Sequence, residues 1–136
     1  MARIKSIDES ESLWLFQMMS CRVYDGDTLM DLVLDLGFGL TISTTGRLYG
    51  IDAPEVRGKE KAKGIASRDW LDKEISEATE IIISTIAPFD STKKASRARE
   101  KQKQGKYGRW LIEVFADGVN LNELMVWEGL AEKANY

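Results

Sequence analysis

Three hydrophobic runs separated by two glycine turns open the chain, and they constrain its fold more than any other feature. "LWLFQMMSCRVY" runs into "DGDT" at 25–28, "LMDLVLDL" runs into "GFG" at 37–39, and "LTISTTGRLYGI" follows at 40–51. Asp-Gly between two apolar runs is a strong short-hairpin signal. In the second run Leu32, Leu34 and Leu36 share one face and Asp31, Val33 and Asp35 the other, the period of two of a half-buried strand. The runs predict strands over 13–24, 28–36 and 40–51 joined as a meander, with Gly46 and Gly50 as bulge or close-approach points.

Pro54 ends the third strand. From 58 to 79 the spacing turns helical: Ala62, Ala66 and Trp70 recur at i, i+4, i+8, and Leu71, Ile75 and Ala78 at i, i+4, i+7. "EIIISTIA" (80–87) reads as a fourth strand, 88–106 as a basic loop, "YGRWLIEVF" (107–115) as a fifth strand and "ADG" (116–118) as its turn. "NLNELMVWEGLA" (120–131) reads as a second helix, with Leu121, Leu124, Met125, Trp127 and Glu128 at the core or its edge. Trp14, Trp70, Trp110 and Trp127 are read as packing residues, and Cys21 as a small hydrophobe. Five short strands with a helix between the third and fourth predict a mainly β fold with helices (α+β). The expected architecture is a five-stranded OB-fold Greek-key barrel with two to three helices. A flexible N-terminal segment, 1–11, is expected to precede a single domain over 12–136.

At 136 residues, 43% hydrophobic and 30% charged, the chain suits one soluble domain with one core. No run approaches the roughly 18 apolar residues of a membrane span. Glu9 and Glu11 stand before "LWLFQMM" (13–19) and no small-residue cleavage site follows, so this run is expected to be a buried strand rather than a signal peptide, and the location cytoplasmic. A single cysteine, Cys21, rules out an intrachain disulfide and a multi-cysteine zinc site. The absence of histidine is more restrictive: no intrachain imidazole can serve as base, nucleophile or metal ligand. Chemistry must rest on carboxylates, arginines, lysines, tyrosines or a metal held by oxygen.

The net charge of −3 does not itself favour a nucleic-acid partner, but its distribution does. Lys93, Lys94, Arg97, Arg99, Lys101, Lys103, Lys106 and Arg109 crowd one stretch against Glu100. Such a block is either a solvated loop or a basic arm for an anionic polymer. The candidate site collects "DGDT" with Asp25 and Asp27, Arg47, "IDAPE" with Asp52 and Glu55, and "KYGR" with Arg109. Taken singly each piece is bland. Asp-Gly makes turns, Asp-x-x-Glu occurs in exposed loops, and a lone strand arginine forms a surface ion pair. "DGDTLM" also fails as an EF-hand loop, because Leu29 and Met30 replace its ligand and its glycine.

Together and in this order the pieces are far more specific. On "DGDT", "RLYGIDAPE", "GKEKAKGIAS", "KYGR" and "ADGVNLNELMVWEGLA" the chain resembles the staphylococcal (micrococcal) nuclease family, the thermonuclease-like domains, from about Cys21 to Ala131. "DLGFG" also looks like phage-encoded members. The resemblance implies Asp27 and Asp52 as side-chain ligands of one Ca²⁺ and Ala53 as a backbone-carbonyl ligand. It implies Arg47 and Arg109 as the grip on the scissile phosphate. Glu55 would hold the attacking water, as its general base or its positioning group. Lys106 and Tyr107 match positions that contact a neighbouring phosphate. The basic residues Lys93, Lys94, Arg97 and Arg99 are expected to add backbone contacts. The implied activity is calcium-dependent hydrolysis of DNA and RNA, single strands preferred, leaving 3′-phosphate ends. No membrane partner is expected, and the expected state is a monomer. Family tyrosines beside the base pocket have no secure match here, with Tyr136 the only stand-in, which leaves base preference open.

The physical chemistry accords with these roles. An all-oxygen cage without histidine suits a hard cation, and guanidinium groups are planar, permanently charged and bidentate toward phosphate. The competing reading is a non-catalytic OB module for single-stranded nucleic acid or a protein. Such modules use aromatic platforms and a basic groove and have no need of Asp27, Asp52, Glu55 and both arginines together. A structural protein using the carboxylates only to bind a metal leaves Arg47 and Arg109 unexplained.

Overall fold

The computed structural model describes residues 14–85 and 109–134. The expected N-terminal segment, Lys93, Lys94, Arg97, Arg99, Lys106, Tyr107 and Tyr136 lie outside the described residues. The elements are β1 (Leu15–Asp25), β2 (Thr28–Gly37), β3 (Leu40–Leu48), β4 (Ile51–Asp52), a 3₁₀ turn (Gly58–Glu60) and helix α1 (Lys61–Glu77). They continue with β5 (Ile81–Thr85), β6 (Trp110–Ala116), β7 (Val119–Asn120), helix α2 (Leu121–Trp127) and β8 (Glu132–Lys133).

The meander forms as its turns dictate. β1 and β2 pair antiparallel with Arg22 opposite Met30, and β2 and β3 with Thr28 opposite Arg47 at one end and Gly37 opposite Leu40 at the other. β1 then pairs with β5 (Phe16 opposite Ile83), and β5 with β6 (Ile83 opposite Val114). β6 closes the sheet by running parallel to β3, with Arg47 opposite Leu111. The result is a closed five-stranded mixed barrel in the order β1-β2-β3-β6-β5, the OB-fold. Its interior is filled by inward leucines and β-branched residues, among them Leu32, Leu34, Ile83, Ile112 and Val114, all fully buried. Leu71 of α1 and Met125 of α2 belong to the same cluster. Each such side chain contributes roughly 1.5–3 kcal/mol by leaving water. Among the described residues, no helix is long and apolar enough to cross a membrane.

Several local expectations are corrected. The third strand does not run unbroken to Ile51. It stops at Leu48, turns through Tyr49 and Gly50, and resumes as β4, which pairs with β8 rather than with the barrel. Gly50 has φ 82°, a left-handed conformation that a side chain disfavours, and this turn swings Asp52 out of the barrel wall. Leu36 is exposed because it sits beside Gly37 at the hairpin tip. In α1 the buried face is Gly64, Ser67 and Leu71, whereas Ala62 and Ala66 face solvent. The second helix ends at Trp127, four residues short of expectation, and Trp127 is 72% exposed rather than packed.

Candidate active site

Where β1 turns into β2, the Asp25-Gly26-Asp27 corner points one carboxylate inward. The Asp27 backbone carbonyl accepts from Leu48 N–H at 2.8 Å, which ties this corner to the end of β3. Asp27 is buried at 5% exposure, so its charge needs partners. It has them. Oδ2 accepts from the Ala53 N–H at 2.9 Å and meets Arg47 Nη1 at 2.5 Å, while Oδ1 accepts from the Thr28 hydroxyl at 3.2 Å. Burial pulls the Asp27 carboxyl upward, but hydrogen bonds from Asp25, Ala53 and Arg47, with the Arg47 charge, outweigh it and hold the group below its ordinary range. Asp25 goes the other way. Burial first, then the Asp27 carboxyl beside it, push Asp25 up to about 6, while its Oδ1 accepts from Asp27 N–H at 3.1 Å.

Arg47 spans both acidic segments. Its Nη2 donates to Asp52 Oδ1 at 2.5 Å and to the Ile51 carbonyl at 3.3 Å. Asp27 and Asp52, 25 residues apart in the chain, therefore lie within the width of one guanidinium group. Glu55 is exposed on the loop that follows β4 and Pro54. Arg109 lies one residue before β6, whose first pair with β3 is Gly46 and Trp110, so it enters the barrel beside the strand that carries Arg47.

The scaffold beneath is closely packed. A Cβ on Gly26 would stand 2.7 Å from Ala53 Cβ and 2.9 Å from Ser67 Cβ, so only glycine lets the first acidic turn meet the second acidic loop and α1. Ser67, itself buried, donates to the Leu130 carbonyl at 2.6 Å. Buried Asn122 of α2 accepts from Val114 N–H at 3.1 Å and donates to the Tyr49 and Ile112 carbonyls, both at 3.0 Å. It thereby fixes the turn between Arg47 and Asp52 to β6. Sequence reading passed over Gly64, Ser67 and Asn122. A polar residue within an apolar helical run and a glycine inside a helix were the available signals, since each costs stability unless something local requires it.

A family model described as staphylococcal nuclease homologue matches residues 45–136, more than half of the chain. The chain belongs to the staphylococcal nuclease family. The matched stretch carries Arg47, Asp52, Ala53, Glu55 and Arg109, and Asp27, from the β1–β2 turn before it, contacts Arg47 and Ala53. Members of this family are generally nucleases, which makes a nuclease-like chain the coarse functional assignment. No curated protein matches the chain closely enough to be named as a relative.

The donor set decides whether a metal suits this family member. Among the described residues, no three or more His, Cys, Asp or Glu side chains gather into one cage. Ca²⁺ takes six to eight oxygens and accepts backbone carbonyls and water among them. Asp27 and Asp52, held within one guanidinium's width next to the Ala53 backbone, supply oxygen donors only. The residues present fit a hard cation with a largely hydrated sphere.

Proposed function

We propose that this chain is a calcium-dependent endonuclease that hydrolyses DNA and RNA, prefers single strands and leaves 3′-phosphate ends. The observation that carries the reading is the bridging of Asp27 and Asp52 by Arg47, on the same loop system as Glu55. A nucleic-acid-binding module has no use for two carboxylates held together at the point where a phosphate would sit, because they repel it. A hydrolase does, since they can hold a cation.

Asp27, Asp52 and the Ala53 carbonyl would hold one Ca²⁺. When bound, the ion supplies Lewis-acid polarisation of a phosphate oxygen. The chain's own groups do the rest. Arg47 and Arg109 bind the non-bridging oxygens and stabilise the charge that grows there in the transition state. Glu55, exposed to solvent on the loop after β4, holds the attacking water and accepts its proton. The water oxygen bonds to phosphorus, the bond from phosphorus to the 5′ oxygen breaks, and that oxygen leaves as it takes a proton from solvent water. The phosphate stays on the 3′ side. Preference for single strands is supported by the burial of Asp27, which a phosphate held in a rigid duplex reaches less easily than one on a flexible strand. The basic stretch containing Lys93, Lys94, Arg97 and Arg99, with Lys106 and Tyr107, serves as the sequence-independent grip on the neighbouring backbone.

The test is incubation of purified protein with end-labelled single-stranded DNA and RNA, with Ca²⁺ and then with EDTA. Cleavage that requires Ca²⁺ and yields 3′-phosphate ends is expected. Retention of labelled strands without cleavage identifies a binding module instead.

A further inference from the structure

The Glu55 side chain is exposed, so its place depends on its backbone. That backbone lies directly against α1. A Cβ built on Gly64 would stand 2.0 Å from the Glu55 carbonyl oxygen, 2.4 Å from the Glu55 carbonyl carbon and 2.7 Å from Val56 N. All three atoms belong to the Glu55–Val56 peptide, and none is the end of a side chain that could swing away. Gly64 is buried in the first turns of α1 and shows no left-handed φ, so backbone conformation does not require glycine there. Mid-helix glycine costs up to about 1 kcal/mol relative to alanine. What the position requires is space.

We propose that Gly64 is the positioning residue for Glu55: the missing side chain lets helix α1 seat directly on the Glu55–Val56 peptide and so fixes where the Glu55 carboxylate stands. This inference rests on the nuclease reading above. Any side chain at position 64 forces the peptide away. To restore even 3.0 Å, the Glu55 carbonyl must retreat by about 1 Å from its present place. A misplacement of about 1 Å at a group that holds the nucleophile costs on the order of 10²-fold in rate. Asp27, Asp52 and Arg47 sit on other contacts, so substrate and metal binding should change far less.

The experiment is a double-mutant cycle with Gly64→Ala and Glu55→Gln, reading kcat, KM for single-stranded DNA and amide exchange of residues 52–58. Expected for Gly64→Ala is a fall in kcat of about 10²-fold with KM within a few-fold, and faster exchange at Val56. In the Glu55→Gln background the same change should cost almost nothing further, because the residue it positions is already lost. Multiplicative losses in the double variant overturn the proposal. Ser67→Ala, which removes the hydrogen bond from the same helix to Leu130, controls for general loosening: it should lower thermal stability and leave kcat near wild type. Equal loss of kcat in Ser67→Ala also overturns it. Should Gly64→Ala fail to fold, Glu55→Asp decides. With the peptide clamped, the shorter acid cannot advance, and kcat should fall about 10²-fold; recovery to within tenfold means that the loop is free and Gly64 sets nothing. If wild-type protein cleaves and these variants behave otherwise, only this inference fails; if wild-type protein does not cleave, the nuclease reading fails and takes this one with it.

Discussion

The Arg47 guanidinium rests on the Asp27 carboxylate, Nη1 to Oδ2 at 2.5 Å, with both side chains withdrawn from water at 14% and 7% exposure. The same guanidinium holds Asp52, so the arginine occupies the place between the two carboxylates that a cation would take. A phosphate ligand offers Arg47 a different anion and frees the carboxylates. On the calcium-dependent reading, Arg47 and the metal ion would therefore compete for Asp27 in the absence of substrate. We predict that Arg47→Gln loses about 3 kcal/mol in EDTA, the cost of stranding a buried charge. We also predict that Ca²⁺ raises its melting temperature more than that of wild type, because binding compensates the stranded pair. Turnover should fall by about 10²–10³ even at saturating Ca²⁺. Equal calcium shifts in both proteins would show that the ion and Arg47 do not share these carboxylates.

Much of this site was legible in the sequence for local reasons. Asp-Gly between apolar runs fixed the first turn, and so placed Asp25 and Asp27 at a barrel end. Gly50 reads as a bulge or close-approach point within a strand to Ile51, but its left-handed backbone is where that strand breaks after Leu48. What was not legible depends on distant parts of the chain. The order of elements implies a closed barrel, but the register of its closure, which sets Arg47 of β3 opposite Leu111 of β6, is encoded by no local periodicity. On α1, Trp70, Leu71 and Ile75, with Ala78 at its C-cap, pack against the core as their spacing implies, but Ala62 and Ala66 face solvent, and the first turns make their contact through Gly64 and Ser67, which are small. Trp127 was read as packing from its bulk. The helix ends at that residue, and Leu130 and Ala131 cover the core instead.

Asp25 should make the metal-free protein more stable when it is neutral. Its folded-state value is raised to about 6 from an ordinary 3.8, so the folded state binds this proton more tightly than the unfolded chain. Its contribution is then full below about 4 and is lost as pH rises toward 6. Asp25→Asn mimics the neutral form: Oδ1 can still accept the Asp27 N–H, and the amide can donate to the Asp27 carboxylate. In EDTA at pH 7 the variant should gain about 1 kcal/mol, a figure reduced for the partial exposure of this group. The gain should vanish by pH 4. Denaturant titrations at both pH values check this, and a gain independent of pH would refute the account.

Gly26 is the meeting point of the two acidic segments, so Gly26→Ala should strain both. Its Cβ would stand 2.7 Å from Ala53 Cβ. Overpacking of this kind costs about 1–3 kcal/mol. Ala53→Gly removes the nearest obstructing atom, and the double variant should recover part of the loss, the remainder reflecting Ser67 Cβ at 2.9 Å. Thermal unfolding of the four proteins is sufficient. A double variant no more stable than Gly26→Ala would mean that the strain is relieved elsewhere.

Asp27→Asn should separate metal binding from proton transfer. In wild type, Oδ2 serves the Ala53 N–H and Arg47, and Oδ1 serves the Thr28 hydroxyl. An amide of the same shape keeps one acceptor oxygen, loses the negative charge, and turns an N–H₂ group toward one of those donors. Loss of a single charge-assisted contact costs about 1.5–3 kcal/mol, so the Ca²⁺ concentration giving half-maximal cleavage should rise at least about tenfold. Saturating Ca²⁺ should restore most of kcat, because Glu55 and Arg109 are untouched. Glu55→Gln should behave in the opposite way. Its calcium requirement should stay near wild type, and kcat should fall by at least about 10² at every calcium concentration, because an amide accepts no proton at neutral pH. The folded stability of Glu55→Gln should stay within about 0.5 kcal/mol of wild type, as expected for an exposed side chain. Calcium titrations of initial cleavage rate on labelled single-stranded DNA give both parameters for both variants. If Asp27→Asn lowers the plateau without moving the midpoint, Asp27 is not a metal ligand. If Glu55→Gln moves the midpoint without lowering the plateau, the two residues have exchanged the roles assigned to them here.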